Sequence, residues 1–138
     1  MKNYVFVLLS LLLLSVALCG DVYAAADYIS SHVESTSQGK CAKYVANGLQ
    51  YGGGFTFTRQ PYAYQYYTEG VLKNLGFNEI DRPSTPLKGD MYVQLATTTH
   101  QYGHIAMYDG SNWCSDFRQK SDQVYSSDAG ERIYYRYG

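Results

Sequence analysis

An α+β domain is what this sequence predicts, and three observations predict it. Helical spacing of apolar residues is confined to the earlier part of the chain. Later segments are short runs rich in Tyr, Val and Ile, the residues of an antiparallel sheet. Nothing alternates strand with helix as a parallel sheet would require. At 138 residues the chain has room for one domain.

The amino-terminal 26 residues read as a leader. Lys2 precedes an almost unbroken apolar run from Val5 to Leu18, and Val22 to Ala26 supplies the small residues at which a signal peptidase cuts. The run is too short to span a bilayer, which takes roughly 20 apolar residues. The expected organisation is therefore residues 1–26 as signal peptide and 27–138 as the domain, secreted and with no membrane span once processed. Processing there removes Cys19 and leaves Cys41 and Cys114.

Asp27 to Ser35 can form a short helix, with Ile29 and Val33 on one face. After the polar break Thr36–Lys40, residues Cys41, Tyr44, Val45 and Leu49 recur at helical spacing until Gly52-Gly53-Gly54 ends the pattern. No Lys-Ser or Lys-Thr pair follows those glycines, so they do not form a phosphate loop. A third helix is expected from Pro61 to Leu75, closed by Gly76 and weakened at Gly70. Phe77 to Ile80 is extended, and Met91–Ala96, His104–Tyr108, Trp113–Phe117 and Ile133–Tyr137 read as strands. Asp109-Gly110-Ser111-Asn112 is hairpin chemistry.

Charge and composition exclude several functions. Lys plus Arg total 11 against 12 Asp plus Glu, a net charge of −1, which offers no cationic excess for nucleic acid. A hydrophobic fraction of 46% is enough for a core and excludes disorder. The unusual component is tyrosine, with 16 residues. No G-x-S-x-G elbow marks a serine hydrolase. His100 and His104 share a strand face with i, i+4 spacing, but the tight paired spacing of a zinc site is missing, so no metal or cofactor is expected.

The chemistry concentrates at Cys41 and His104. Cys41 opens a helix, where unpaired N–H groups and the macrodipole favour thiolate over thiol, and Lys40 and Lys43 act in the same direction. His104 opens a strand after Gly103, a residue that lets the backbone pass close to another element. The pair fits a nucleophile and general base drawn from separate elements. Two cysteines in a secreted chain also allow a Cys41–Cys114 disulfide, which would make the domain a stapled binding module without chemistry.

Three blocks carry a family resemblance. Gly39-Lys40-Cys41-Ala42-Lys43-Tyr44-Val45 resembles the G-x-C-x-x-Y-V helix start of the CHAP and NlpC-type cysteine amidases. Pro86-Leu87-Lys88-Gly89-Asp90 resembles their P-x-x-G-D segment, and Gly103-His104-Ile105-Ala106-Met107-Tyr108-Asp109-Gly110 their G-H-[IV]-x-[IV]-Y-x-G strand. The stretch from Gly103 through Trp113-Cys114-Ser115-Asp116-Phe117 is similar to the type VI secretion amidase effectors of the second family. With a leader in front, the chain looks like the domesticated effectors that ticks and mites acquired and now secrete.

The resemblance implies a papain-like fold, with N-terminal helices packed on an antiparallel sheet. It implies hydrolysis of amide bonds in bacterial peptidoglycan, at D-alanyl–diaminopimelate or D-alanyl–lysine cross-links, by a monomer. Cys41 would be the nucleophile, His104 the general base, and the Cys41 backbone N–H one oxyanion donor, with Gln38 or Tyr44 supplying a side-chain donor. The group that orients the imidazole would lie on the following strand. Asp116 is the residue expected there, pairing with His104 if the hairpin loop has three residues; Ser115 takes its place if the loop has two. Tyr102 and Trp113 would flank the site as an aromatic wall for substrate.

Overall fold

The computed structural model describes residues 20–125 and 130–138. The apolar run of the leader, Val5–Leu18, lies outside the described residues. Helix α1 spans Val22–Ser31, five residues upstream of its expected start. Asp21 begins it: the carboxylate accepts a hydrogen bond from the Ala24 N–H at 3.0 Å, and the Asp21 N–H donates to the Gly53 carbonyl at 2.8 Å. Ala25, Ala26 and Ile29 form its buried face. The boundary expected after Ala26 therefore falls inside α1, in the middle of a face that packs into the core.

Helix α2, Cys41–Asn47, runs straight into a π-helical turn at Gly48–Gly52 and ends, as expected, in the glycine run. Val45, Ala46 and Leu49 are its buried residues. The expected long helix from Pro61 is instead two short ones, α3 (Gln65–Thr68) and α4 (Val71–Asn74). Gly70 divides them by adopting φ +67°, a left-handed conformation that breaks the helical ladder.

Five strands follow: β1 (Phe77–Ile80), β2 (Met91–Gln94), β3 (His104–Tyr108), β4 (Trp113–Cys114) and β5 (Arg132–Tyr137). They form one antiparallel sheet in the order β1-β5-β2-β3-β4. The α+β class read from the sequence is the class observed. Alternation sets the two faces. Met91, Val93, Ile105, Met107, Ile133 and Tyr135 join the helices in the main core, and Tyr92, Ala106, Trp113 and Tyr134 form a second cluster. In that second cluster the Tyr92 and Trp113 rings meet edge to face, with centroids 5.0 Å apart.

The β3–β4 hairpin matches neither expected register. Met107 pairs with Cys114 and Tyr108 with Trp113, across a four-residue loop. Asp109 makes that loop: its N–H donates to the Asn112 carbonyl, and its carboxylate accepts the N–H groups of Ser111 and Asn112. Strand β4 stops at Cys114, before Ser115 or Asp116 could pair with β3. The chain then folds back, the Ser115 N–H donating to Phe117 and the Gln119 N–H to Trp113.

Candidate active site

Cys41 reaches the site as the first residue of α2, and His104 as the first residue of β3. Gly103 makes the approach of β3 possible. A Cβ there would stand 2.2 Å from the Gln94 carbonyl oxygen, and the residue has φ +67°. Both side chains line one cavity of about 320 Å³, together with Ser37, Tyr102, Asp116 and Tyr125.

The group that holds the imidazole is Gln119. His104 Nε2 and Gln119 Oε1 are 2.8 Å apart, and both residues are buried. The Gln119 amide donates to the Ser121 carbonyl at 3.0 Å and to the Tyr92 hydroxyl at 2.9 Å. A carbonyl can only accept, so Ser121 fixes which end of the amide is nitrogen. Oε1 must then face His104, and Nε2 of the ring must carry the hydrogen. The basic lone pair is left on Nδ1. Gln119 comes to this position through the reversal after β4, which no sequence motif marks.

Asp116 lies in the same cavity but does another job. Its carboxylate accepts the Gln38 N–H at 2.6 Å and the Lys40 N–H at 3.1 Å, and Ser115 Oγ donates to it at 3.2 Å. It thus fastens the loop that delivers Cys41 to the head of α2 and makes no hydrogen bond to His104. Ser115, the other expected partner of His104, is directed at Asp116.

No protein-family model and no curated protein matches the chain. Two solved structures do, both of the type VI effector–immunity complex Tae3–Tai3 from Ralstonia pickettii. The native form has a TM-score of 0.73 at 35% identity, covering 86% of this chain and 99% of that one. The selenomethionine form has a TM-score of 0.70 at 35% identity, covering 82% and 99%. The chain belongs to the Tae3 family of type VI effectors. The expected kinship with type VI effectors is thereby shown, as membership of the Tae3 family and not of the second family that the Gly103–Phe117 stretch resembles.

Several expected site residues of this Tae3-family chain stand elsewhere. The Gln38 side chain turns back on its own loop and donates to Thr36, while its backbone serves Asp116. The Tyr44 hydroxyl donates to Glu34 at 2.9 Å, on the wall of a different cavity. Neither is placed as an oxyanion donor. Trp113, only 5% exposed, belongs to the second core cluster, because the residue beside a site in sequence faces away from it across a strand. Tyr102, 57% exposed, does line the cavity. So do His100, weighed in the sequence only as a metal ligand, and Tyr125, which the sequence did not single out; their rings stack on each other.

Electrostatics correct a further expectation. Burial pushes the Cys41 thiol up to about 11 from 9.0, and the Asp116 charge adds to this. The backbone N–H of Ile105 in β3 pulls the other way, as do those of Ala42 and Cys41 at the helix start, but they do not outweigh burial. Burial likewise holds His104 below its usual 6.5, against opposing contributions from Gln119 and Asp116. Both shifts favour the uncharged forms, a thiol and an imidazole lining one cavity. Cys114 is a separate free thiol, buried in the main core and pushed up to about 12 by burial and Asp109. With Cys41 and Cys114 both free, the binding-module reading has no staple.

Proposed function

We propose that this chain is a cysteine-dependent amidase that cuts stem-peptide cross-links in bacterial peptidoglycan. The observation that carries the proposal is the shared cavity of Cys41 and His104, with the ring held by Gln119 in the tautomer that leaves Nδ1 basic. Membership of a type VI effector family supports the same reading. His104 Nδ1 takes the thiol proton as sulfur attacks the amide carbonyl, forming the S–C bond. The oxyanion is stabilised by backbone N–H groups at the head of α2. As the C–N bond breaks, His104 passes the proton to the leaving amine. Water, activated by the same imidazole, then hydrolyses the thioester and regenerates the thiol.

The bonds assigned are D-alanyl–diaminopimelate or D-alanyl–lysine amides. Mass spectrometry of purified sacculi of both stem types, digested with the protein, identifies the bond and the preference together. Cys41→Ala is expected to abolish muropeptide release while keeping the fold. Full release by that variant defeats the proposal.

Secretion is part of the same reading, supported by the apolar leader. A cleavage point upstream of the one expected after Ala26 is supported by the packing of α1: Asp21 caps it and Ala25 and Ala26 are buried, so processing amino-terminal to Asp21 keeps the domain whole. Intact-mass measurement of the secreted protein is expected to show an amino terminus at or before Asp21. A terminus at Asp27 contradicts it.

A further inference from the structure

Cys41 lies where two cavities meet. Besides the first, a second cavity of about 380 Å³ is lined by Lys40, Cys41, Lys43, Pro61, Tyr62 and Tyr102. The two share Gly39, Cys41 and Tyr102 in their linings and adjoin there as the two arms of one groove. The arms differ in chemistry. Among the described residues His104 lines the first arm and not the second. Asp116 is the charged carboxylate of the first arm, buried and occupied by backbone N–H groups. The second arm carries two exposed lysines, and neither forms an ion pair among the described residues. Glu34, which lies with both lysines around the neighbouring cavity, is engaged by the Tyr44 hydroxyl. The Tyr62 and Tyr102 rings stack with centroids 4.6 Å apart and are 40% and 57% exposed.

These features orient the substrate. The leaving amine must be protonated by His104, so it departs through the arm that His104 lines. The acyl group bound to sulfur must then occupy the other arm. We propose that this second arm binds the acyl-donor stem through a free carboxylate on Lys40 and Lys43, with the peptide lying against the Tyr62–Tyr102 ring pair. The assignment rests on the amidase reading above and deepens it. An acyl donor with a free carboxylate, such as the γ-linked glutamyl residue of a peptidoglycan stem, matches the arm. The amidated form of the same residue does not. A chain with a net charge of −1 offers no general basic surface, so a carboxylate preference would come from this local pair.

The test uses muropeptide dimers that differ only in whether the carboxylates of the acyl-donor stem are free or amidated. Wild-type protein and the double variant Lys40→Gln/Lys43→Gln are compared by KM and kcat on both. The wild type is expected to prefer the free carboxylate. The double variant is expected to raise KM on that dimer by roughly three- to thirty-fold, as for two exposed ion pairs, with kcat and thermal midpoint unchanged and the amidated dimer unaffected. Amidating the amine-donor stem instead is expected to leave KM alone. Equal KM for the two acyl-donor forms, an equal loss on both dimers, or sensitivity confined to the amine-donor stem overturns the assignment while leaving the amidase intact. If the wild-type protein cleaves neither dimer, the amidase reading falls and takes this one with it.

Discussion

Replacing Gln119 with glutamate changes little more than one polar atom behind His104, yet it should move the pH at which the enzyme works. Gln119 Oε1 sits 2.8 Å from His104 Nε2, and a carboxylate at that position keeps the hydrogen bond. It also places an anion against a ring that burial now holds below its usual 6.5. An opposite charge at this range raises an imidazole by about 1–3 pH units. The acidic limb of kcat/KM, which reports deprotonation of the free base, should move upward by the same amount. On the slope of that limb a displacement of two units costs about 100-fold in rate. The variant also loses its donor to the Ser121 carbonyl, at a stability cost of about 1–3 kcal/mol. The assay is a pH–rate profile of muropeptide release, with Gln119→Leu in parallel. Gln119→Leu should lower kcat roughly 10- to 100-fold by freeing the ring, without an upward shift of the limb. A folded Gln119→Glu enzyme whose limb overlays the wild type refutes the placement of Gln119 as the residue that positions His104.

The fold makes four more predictions. Asp116→Ala removes the acceptor for the Gln38 and Lys40 N–H groups and should cost about 2–4 kcal/mol in a urea melt, whereas Asp116→Asn keeps one acceptor and should cost less. Equal losses for the two would show that the carboxylate does not fasten the loop. Trp113→Ala should destabilise the protein by about 3–5 kcal/mol and leave KM unchanged, because its ring packs in the second core cluster. Tyr102→Ala, at an exposed position on the groove, should show the opposite pattern, with KM raised and the melt unmoved. Stability should fall at both ends of the pH range. His104 has a depressed folded pKa, so the unfolded chain binds the proton first and stability is lost as pH drops below 6.5. Cys41 and Cys114 have raised ones, so the unfolded chain releases protons first and stability is lost above pH 9.0. Urea midpoints that climb above that pH would contradict the burial of the two thiols.

What the sequence reveals here is local, and what it hides depends on contacts across turns. Cys41 and His104 were legible because each opens an element and is announced by its own neighbours, Gly39-Lys40 and Gly103. The helix end at the glycine run and most strands were legible through periodicity. Gln119 was not, because its role depends on the four-residue hairpin loop and the reversal after Cys114, and a change of one residue in either would redirect it. Trp113 was misread for a related reason: adjacency in sequence says nothing of which strand face a ring occupies. Residues 22–26 carry two signals at once. Small residues that suit a signal peptidase also suit a tightly packed helix, and Ala25 and Ala26 are used for packing in this fold.

The protonated state of Cys41 has a consequence for durability. Peroxides and disulfides react with thiolate and hardly at all with thiol. A group pushed up to about 11 from 9.0 exposes about 100-fold less thiolate near neutral pH than an unburied cysteine. Under the proposed mechanism the thiol is thus kept latent between encounters and becomes reactive when a bound amide lets His104 draw off the proton. On the proposed secreted reading such a thiol ages slowly without a protective bridge, and Cys114, buried in the main core and itself pushed up to about 12, is equally slow to oxidise.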